Sequence, residues 1–506
     1  MGIVDRARLA FGEELSIGEL PSRLRAVHGT RVLATNAEGE TWTAVDLDTR
    51  TQVWSTALAT RMQPGDRVVV QLPNGFAFFA ACLAVCRAGG VAVPVNEKMT
   101  RIEIDHVISA SDARIVVRSE ADLEKRGRQR VTSVRAHSDP GGVAAIFFTS
   151  GTTGLPKGAE LTHRGLLSGT RRAAALPTGL RDDEAVVGLP VAHIMGFTTY
   201  LGAVLSGMRL FVLGRFNALQ ALDAIETRRS SGFIGVPTMY RMLDEAGASD
   251  RDLSSVRIWM SGADAMPPEL VRKFQKMGAS ATLPIINRPV GEALFVEGYG
   301  MVELSGGAAV KVTPPFAGGL FSKAIGIPLP NNQLRVVDPS GKQVGIGEVG
   351  ELQVKSPGVL RRYRNDPAAT AATVTSEGWL NTGDLARRQP FGAVEFAGRA
   401  KDVIKVGGYS VFAAEVQAVL ETIPGVAEAS VVGLVDSKMG QVPGAVLRRA
   451  GRAKVDLDLA KEIAQTNLSA YKVPRRWLVV DELPRTGTEK VQREAVRRLF
   501  DAAEPV

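Results

Sequence analysis

Ten residues read Thr149-Ser150-Gly151-Thr152-Thr153-Gly154-Leu155-Pro156-Lys157-Gly158. The threonines and the serine supply hydroxyl donors. The glycines let the backbone bend and approach an anion with no side chain in between. Exposed N–H groups in such a turn form an anion-binding nest, and Lys157 adds a mobile positive charge. The decamer follows the apolar run A-A-I-F-F at residues 144–148, so a buried strand delivers it. Its spacing differs from the G-x-x-x-x-G-K-[ST] of a Walker-type P-loop. The chemistry on offer is capture of a phosphate-like anion by another kind of loop.

The decamer resembles the signature of the acyl-adenylate-forming, or AMP-binding, enzyme superfamily. That group includes acyl-CoA synthetases, aryl-CoA ligases, firefly-type luciferases and peptide-synthetase adenylation domains. The resemblance runs from about residue 65 to residue 490, with further motifs in the family's order, and is strongest to a fatty-acyl-CoA synthetase or ligase. Glu297-Gly298-Tyr299-Gly300-Met301-Val302-Glu303 is similar to the second core motif. Gly298 and Gly300 let a base approach the backbone, and Tyr299 offers a flat face for adenine. Glu303 is a hard oxygen ligand suited to Mg²⁺, the role of the family's glutamate. Ser261-Gly262-Ala263-Asp264 resembles the adenine-edge loop, which also borders the acyl pocket. Asn381-Thr382-Gly383-Asp384 resembles the T-G-D motif, and the resemblance assigns Asp384 to the two ribose hydroxyls, a bidentate geometry. Residues 398–409 resemble the interdomain hinge motif. By that likeness Arg399 contacts ribose, Lys401 is the hinge, and Gly408 lines a tunnel for the thiol. Pro484-Arg485-Thr486-Gly487-Thr488-Glu489-Lys490 is similar to the last motif, which makes Lys490 the adenylation catalyst, bridging the attacking carboxylate and the α-phosphate.

Two positions depart from the family pattern. Val302 stands where a threonine hydroxyl meets the α-phosphate, and Glu489 stands where glycine precedes the lysine. His193, in P-V-A-H-I-M-G-F, has two readings: a satisfied core histidine, or, by resemblance, the residue that closes the acyl pocket. Phe197 and Val236, from the apolar segments 193–205 and 233–242, complete the expected pocket. Between residues 276 and 297 the chain is longer than such enzymes usually are. That stretch is either a surface excursion or a reshaping of the pocket.

The elements that must position these residues alternate along the chain. Residues 67–72, 90–94 and 114–117 read as short β-branched strands, and residues 76–88 and 102–109 as helices. Such spacing predicts a parallel sheet covered by helices. The pattern recurs at residues 144–148, 209–213, 232–236 and 257–260. From 326 to 354 turn signals (P-L-P-N-N, D-P-S-G, G-I-G-E-V-G) punctuate short strands and predict a small antiparallel β subdomain. Beyond residue 398, helices at 413–421 and 457–468 alternate with strands at 427–434 and 477–480. The expected class is therefore α/β: an N-terminal domain over residues 1–398, with the β subdomain at about 320–398, then a hinge at 399–402. A small mobile α+β lid at 403–506 completes it.

At 506 residues the chain exceeds a single core, which rarely passes about 250–300 residues. Aromatics are only 6%, so aliphatic residues and alanine are expected to dominate the core. The net charge of +8 is a mild excess over this length and suits nucleotide phosphates. The densest basic runs, 125–130 and 493–498, read as solvated surface, and no nucleic-acid partner is expected. Cys82 and Cys86 are spaced i, i+4 in an apolar run and read as small buried hydrophobes on one helix face. Neither a disulfide framework nor a zinc site is expected, which fits a reduced, cytoplasmic setting. The N-terminus lacks a signal-peptide core, and no window reaches 18 apolar residues, so no spanning helix is expected. A peripheral membrane contact stays open.

The resemblance implies a two-step reaction on a small-molecule carboxylic acid, with ATP, Mg²⁺ and coenzyme A. The acid, fatty or otherwise hydrophobic, becomes acyl-AMP, and its acyl group passes to the CoA thiol. Two alternatives stand beside it: delivery to an acyl carrier protein, and a nucleotide-binding relative with weak catalysis, motivated by Val302 and Glu489.

Overall fold

A computed structural model describes residues 3–12, 14–97, 99–129, 134, 139–149, 156–176, 182–283, 288–315, 324–407, 409–485 and 491–502. Their contacts divide into two compact units. The first holds the described residues up to 315, with 326–333 and 355–380; the second holds 324–325, 334–354 and 381–502. The chain is α/β with mixed sheets, as expected.

The first unit carries two large sheets. In the six-stranded one, Arg67–Val70, Val91–Pro94 and Ala113–Val117 are parallel, joined by the helices Phe76–Arg87 and Arg101–Ser111. Val143–Thr149 adds in parallel, Lys157–Thr162 antiparallel, and Arg362–Tyr363 closes the edge. The runs R-V-V-V and V-A-V-P become strands because β-branched side chains fit a pleated surface covered on both faces. Thr100 starts its helix with a capping box, its hydroxyl accepting from Glu103 N while the Glu103 carboxylate accepts from Thr100 N.

The nine-stranded sheet has a parallel centre. Val32–Asn36, Arg209–Val212, Glu184–Val187, Gly232–Gly235, Ile258–Gly262 and Leu294–Met301 lie in that order. Gly306–Thr313 then folds back antiparallel on Leu294–Met301. The long stretch after residue 276 contains a two-stranded hairpin, Ala281–Leu283 with Arg288–Val290, separate from both large sheets.

The few aromatics are not spread evenly. Phe79, Phe147, Phe197 and Tyr200 are fully buried together, with Phe197 centroids 5.4 Å and 5.5 Å from those of Phe79 and Phe147. Phe233, Tyr240, Trp259, Phe274 and Phe295 form a second buried cluster. The core is built mainly of aliphatic residues and alanine, as composition suggested, and the aromatics gather at two centres within it. Each ring buries roughly 150–250 Å², so a small number suffices. Cys82 and Cys86 are free and buried, and burial pushes the Cys86 thiol up to about 12.

The second unit contains a four-stranded sheet, Gln333–Val337, Val349–Lys355, Leu380–Arg388 and Val394–Arg399 in that order. Its last two strands are antiparallel. A five-stranded sheet follows, with the long hairpin Val426–Asp436/Gly440–Arg449 at its heart. Helix Ala413–Leu420 packs on Val394–Arg399, which ties the four-stranded sheet to the C-terminal segment. Residues 399–402, expected as a boundary, therefore lie inside this unit.

Candidate active site

Strand Val143–Thr149 ends where the phosphate-loop decamer begins, and Thr149 is in register with Lys157 on the returning strand. Ser150, Gly151, Thr152, Thr153 and Gly154 lie outside the described residues. Lys157 Nζ sits 2.9 Å from Asp366 Oδ2 and 5.9 Å from the centre of the Tyr363 ring. The Ala369 N–H and then Lys157 hold the Asp366 carboxyl below its usual range.

Those partners come from a segment the sequence reading passed over, residues 360–366. Strand Arg362–Tyr363 pairs with Lys157–Thr162, placing Tyr363 opposite Ala159 and Arg362 opposite Glu160. Side chains alternate along a strand, so Tyr363 shares the face of Lys157, while Arg362 and Arg364 share the face of Glu160. On that second face Glu160 is buried and accepts from Arg362 Nε at 2.9 Å and an Arg364 terminal nitrogen at 3.0 Å. Arg364 also reaches Asp112 at 2.7 Å. This cluster borders a cavity of about 310 Å³ that includes Arg67 and His163 but none of the motif residues predicted to bind nucleotide or acid.

The adenine motifs are brought side by side by the parallel pairing of Ile258–Gly262 with Leu294–Met301. Ser261 is in register with Glu297, and Gly262 with Gly298. Glycine at 300 has a steric cause: a Cβ there would lie 1.9 Å from the Gly306 carbonyl oxygen. Ala263 takes a left-handed φ of 68°, and Asp264 is exposed with Oδ1 accepting from Ala265 N. Tyr299 is half-buried. Glu297 has a partner within the sheet. The antiparallel register sets it opposite Lys311, and the two form an ion pair at 2.5 Å.

Glu303 lies in the short turn Val302–Leu304. Its Oε1 accepts from the Tyr363 hydroxyl at 2.7 Å, and its carbonyl accepts from Leu360 N at 2.8 Å. Among the described residues no group of three or more His, Cys, Asp or Glu is placed to hold a metal ion. A single carboxylate still fits Mg²⁺, which usually keeps waters and binds one or two carboxylates plus substrate phosphates.

His193 caps helix Ile194–Ser206, its Nδ1 accepting from Met195 N at 3.3 Å. It is half-buried, and one ring nitrogen serves the helix cap. Val236 is half-buried at the start of helix Pro237–Glu245. Phe197 does not join them at a surface; it is 1% exposed, inside the first aromatic cluster. Met195, unforeseen, has its sulfur 3.4 Å from where a Gly262 Cβ would sit, and Met260 is 36% exposed on the same strand as Gly262.

In the second unit Asp384 is in register with Arg399, and Arg399 Nε lies 2.7 Å from Asp384 Oδ1. Asp384 N donates to the Thr382 hydroxyl at 3.1 Å, and Thr382 in turn donates to Leu352 O at 2.7 Å. The two residues predicted to grip ribose are therefore neighbours that grip each other. Lys401 is exposed in the turn Ala400–Asp402. Gly408 and Lys490 lie outside the described residues.

This fold and these motifs define an AMP-binding enzyme. The chain matches that family over residues 22–364 and the AMP-binding enzyme C-terminal domain over residues 415–490, and it belongs to the AMP-binding enzyme family. It is 32% identical to a feruloyl-CoA synthase of an Amycolatopsis species, across 96% of this chain and 99% of that protein. A fatty acid–[acyl-carrier-protein] ligase, ScoC, of Streptomyces coeruleorubidus is 30% identical across 94% and 95% of the two chains. The crystal structure of ATP-bound MatB from Rhodopseudomonas palustris superposes with a TM-score of 0.81 at 25% identity, over 99% of each chain. No helix among the described residues is long and apolar enough to cross a membrane.

Proposed function

We propose that the chain is an ATP-dependent acid–thiol ligase that activates a hydrophobic carboxylic acid as acyl-AMP and passes the acyl group to coenzyme A. One observation carries this reading: on the short segment 363–366 Tyr363 bonds Glu303 and Asp366 pairs with Lys157, so two separate motifs share one support. The acid's carboxylate attacks the α-phosphorus, forming a C–O–P link and releasing pyrophosphate. Lys157 and Lys490 neutralise the charge that develops, since such transfers rest on positioning and electrostatics. Glu303 would hold Mg²⁺, which would supply further neutralisation of the phosphates. In the second step the thiol sulfur bonds to the acyl carbon and AMP leaves. The C-terminal part from residue 403, turning about Lys401, withdraws Lys490 and presents Gly408. Tyr299, Gly262, Asp264, Asp384 and Arg399 contact the nucleoside, and His193 and Val236 border the acid. A cytoplasmic location is part of this proposal.

A second acceptor is favoured by one observation, the match to a relative named as an acyl-carrier-protein ligase. The deciding experiment measures acid-dependent ATP–pyrophosphate exchange and thioester formation with free CoA over short, long and aromatic acids. Exchange and acyl-CoA together support the ligase. Exchange with adenylate accumulating and CoA left unacylated moves the reading to the carrier protein. No exchange with any acid overturns both and leaves a nucleotide-binding relative.

Replacing Asp384 by Asn tests the ribose assignment. Hydrogen bonds to a charged group are worth roughly 1.5–3 kcal/mol, so the KM for ATP rises about tenfold or more, with kcat less affected. An unchanged KM for ATP in the exchange assay rejects the assignment. Because Arg399 is 42% exposed, losing its anion costs little stability.

A further inference from the structure

We infer that Tyr363 is a positioning residue that orients the Glu303 carboxylate toward the divalent cation of the bound nucleotide. The inference rests on the reading above, in which Glu303 holds that cation.

Glu303 has few constraints of its own. It sits in a short turn, and a glutamate side chain has three rotatable bonds. Segment 358–363 fixes it twice. Leu360 N donates to the Glu303 carbonyl at 2.8 Å, and the Tyr363 hydroxyl donates to Glu303 Oε1 at 2.7 Å. Next to it the Ser305 hydroxyl donates to Gly358 O at 2.7 Å, so the turn and the segment are laced together. A hydroxyl on one carboxylate oxygen turns the other toward a ligand, which is how a hydrogen-bonded partner sets the geometry of a metal-binding carboxylate.

The tyrosine is itself held. It is 8% exposed, and its register on the edge strand is locked by Arg362 and Arg364 on Glu160. Three residues on, Asp366 holds Lys157 at 2.9 Å. One short segment therefore aims both an anionic ligand and a cationic one.

The test uses the full chain and direct binding. Mn²⁺ affinity is measured by electron paramagnetic resonance in the presence of α,β-methylene-ATP, for the unmodified protein, Tyr363→Phe and Glu303→Gln. Removing a partner behind a ligand typically weakens metal affinity about 10–100-fold. Tyr363→Phe therefore weakens Mn²⁺ about tenfold or more, leaves binding of the analogue in EDTA unchanged, and lowers Tm by less than about 3 °C, since a single hydroxyl is lost. Glu303→Gln weakens Mn²⁺ further still. If Glu303→Gln weakens Mn²⁺ and Tyr363→Phe does not, the positioning role is wrong and the metal assignment survives. If Glu303→Gln has no effect, the metal assignment fails and the inference falls with it. A Tyr363→Phe protein that does not fold also overturns it, because the hydroxyl would then serve the fold rather than the carboxylate.

Discussion

Replacing Lys490 by alanine lowers acid-dependent ATP–pyrophosphate exchange by about 10²–10³-fold, the usual cost of removing one donor aimed at developing charge. Thioester formation from supplied acyl-adenylate falls by less than about tenfold. The asymmetry follows from where charge appears. In the first step negative charge gathers between the carboxylate and the α-phosphate, and an ammonium there stabilises the transition state more than the bound substrates. In the second step a neutral thioester forms and AMP carries the charge away, so the same ammonium has little to add. The two half-reactions are assayed separately, the first by labelled pyrophosphate, the second by release of AMP from synthetic acyl-adenylate. Equal losses in both would remove the catalytic role and leave Lys490 a binding residue.

Val302 and Glu489 bear on the size of that effect. Valine cannot give the α-phosphate the hydrogen bond that a threonine would. More of the work in the first step then falls to Lys490, Lys157 and the cation on Glu303.

The parts of this molecule that were legible in the sequence are those decided locally. The run R-V-V-V became Arg67–Val70 and the apolar stretch after it became helix Phe76–Arg87. The motif glycines also announced themselves, and Gly300 has its cause in the approach of Gly306. What stayed hidden is decided by partners far away in the chain. The bond between Arg362 and Glu160 spans 202 positions, and nothing in R-R-Y-R tells which face meets which strand until the register is known. The same holds for the partners of Glu297 and Asp384. The resemblance gave both of them ligand contacts, but only the antiparallel register sets each opposite a basic residue, Lys311 and Arg399. Phe197 is apolar in an apolar segment, and that pattern alone cannot separate a pocket wall from a core ring.

The edge strand that carries Tyr363 and leads into Asp366 depends on a buried carboxylate of the neighbouring strand. Replacing Glu160 by alanine destabilises it by about 3 kcal/mol, the low end for breaking a buried ion pair. The carboxylate is 3% exposed and neutralises two guanidiniums. Arg364 is 17% exposed and feels the loss strongly, while Arg362 is 56% exposed and can turn to water. Removing Arg362 instead, by Arg362→Ala, leaves Glu160 still paired with Arg364 and costs less than about 1 kcal/mol. The ordering is the test: thermal unfolding shifts several degrees for Glu160→Ala and little for Arg362→Ala. Two small, equal shifts would show that the cluster is a solvated surface pair. The larger loss has a functional echo, because a strand freed from Glu160 no longer fixes Tyr363 against Glu303. Glu160→Ala therefore weakens Mn²⁺ binding in the presence of α,β-methylene-ATP even at temperatures where the chain remains folded, although Glu160 itself faces away from the site.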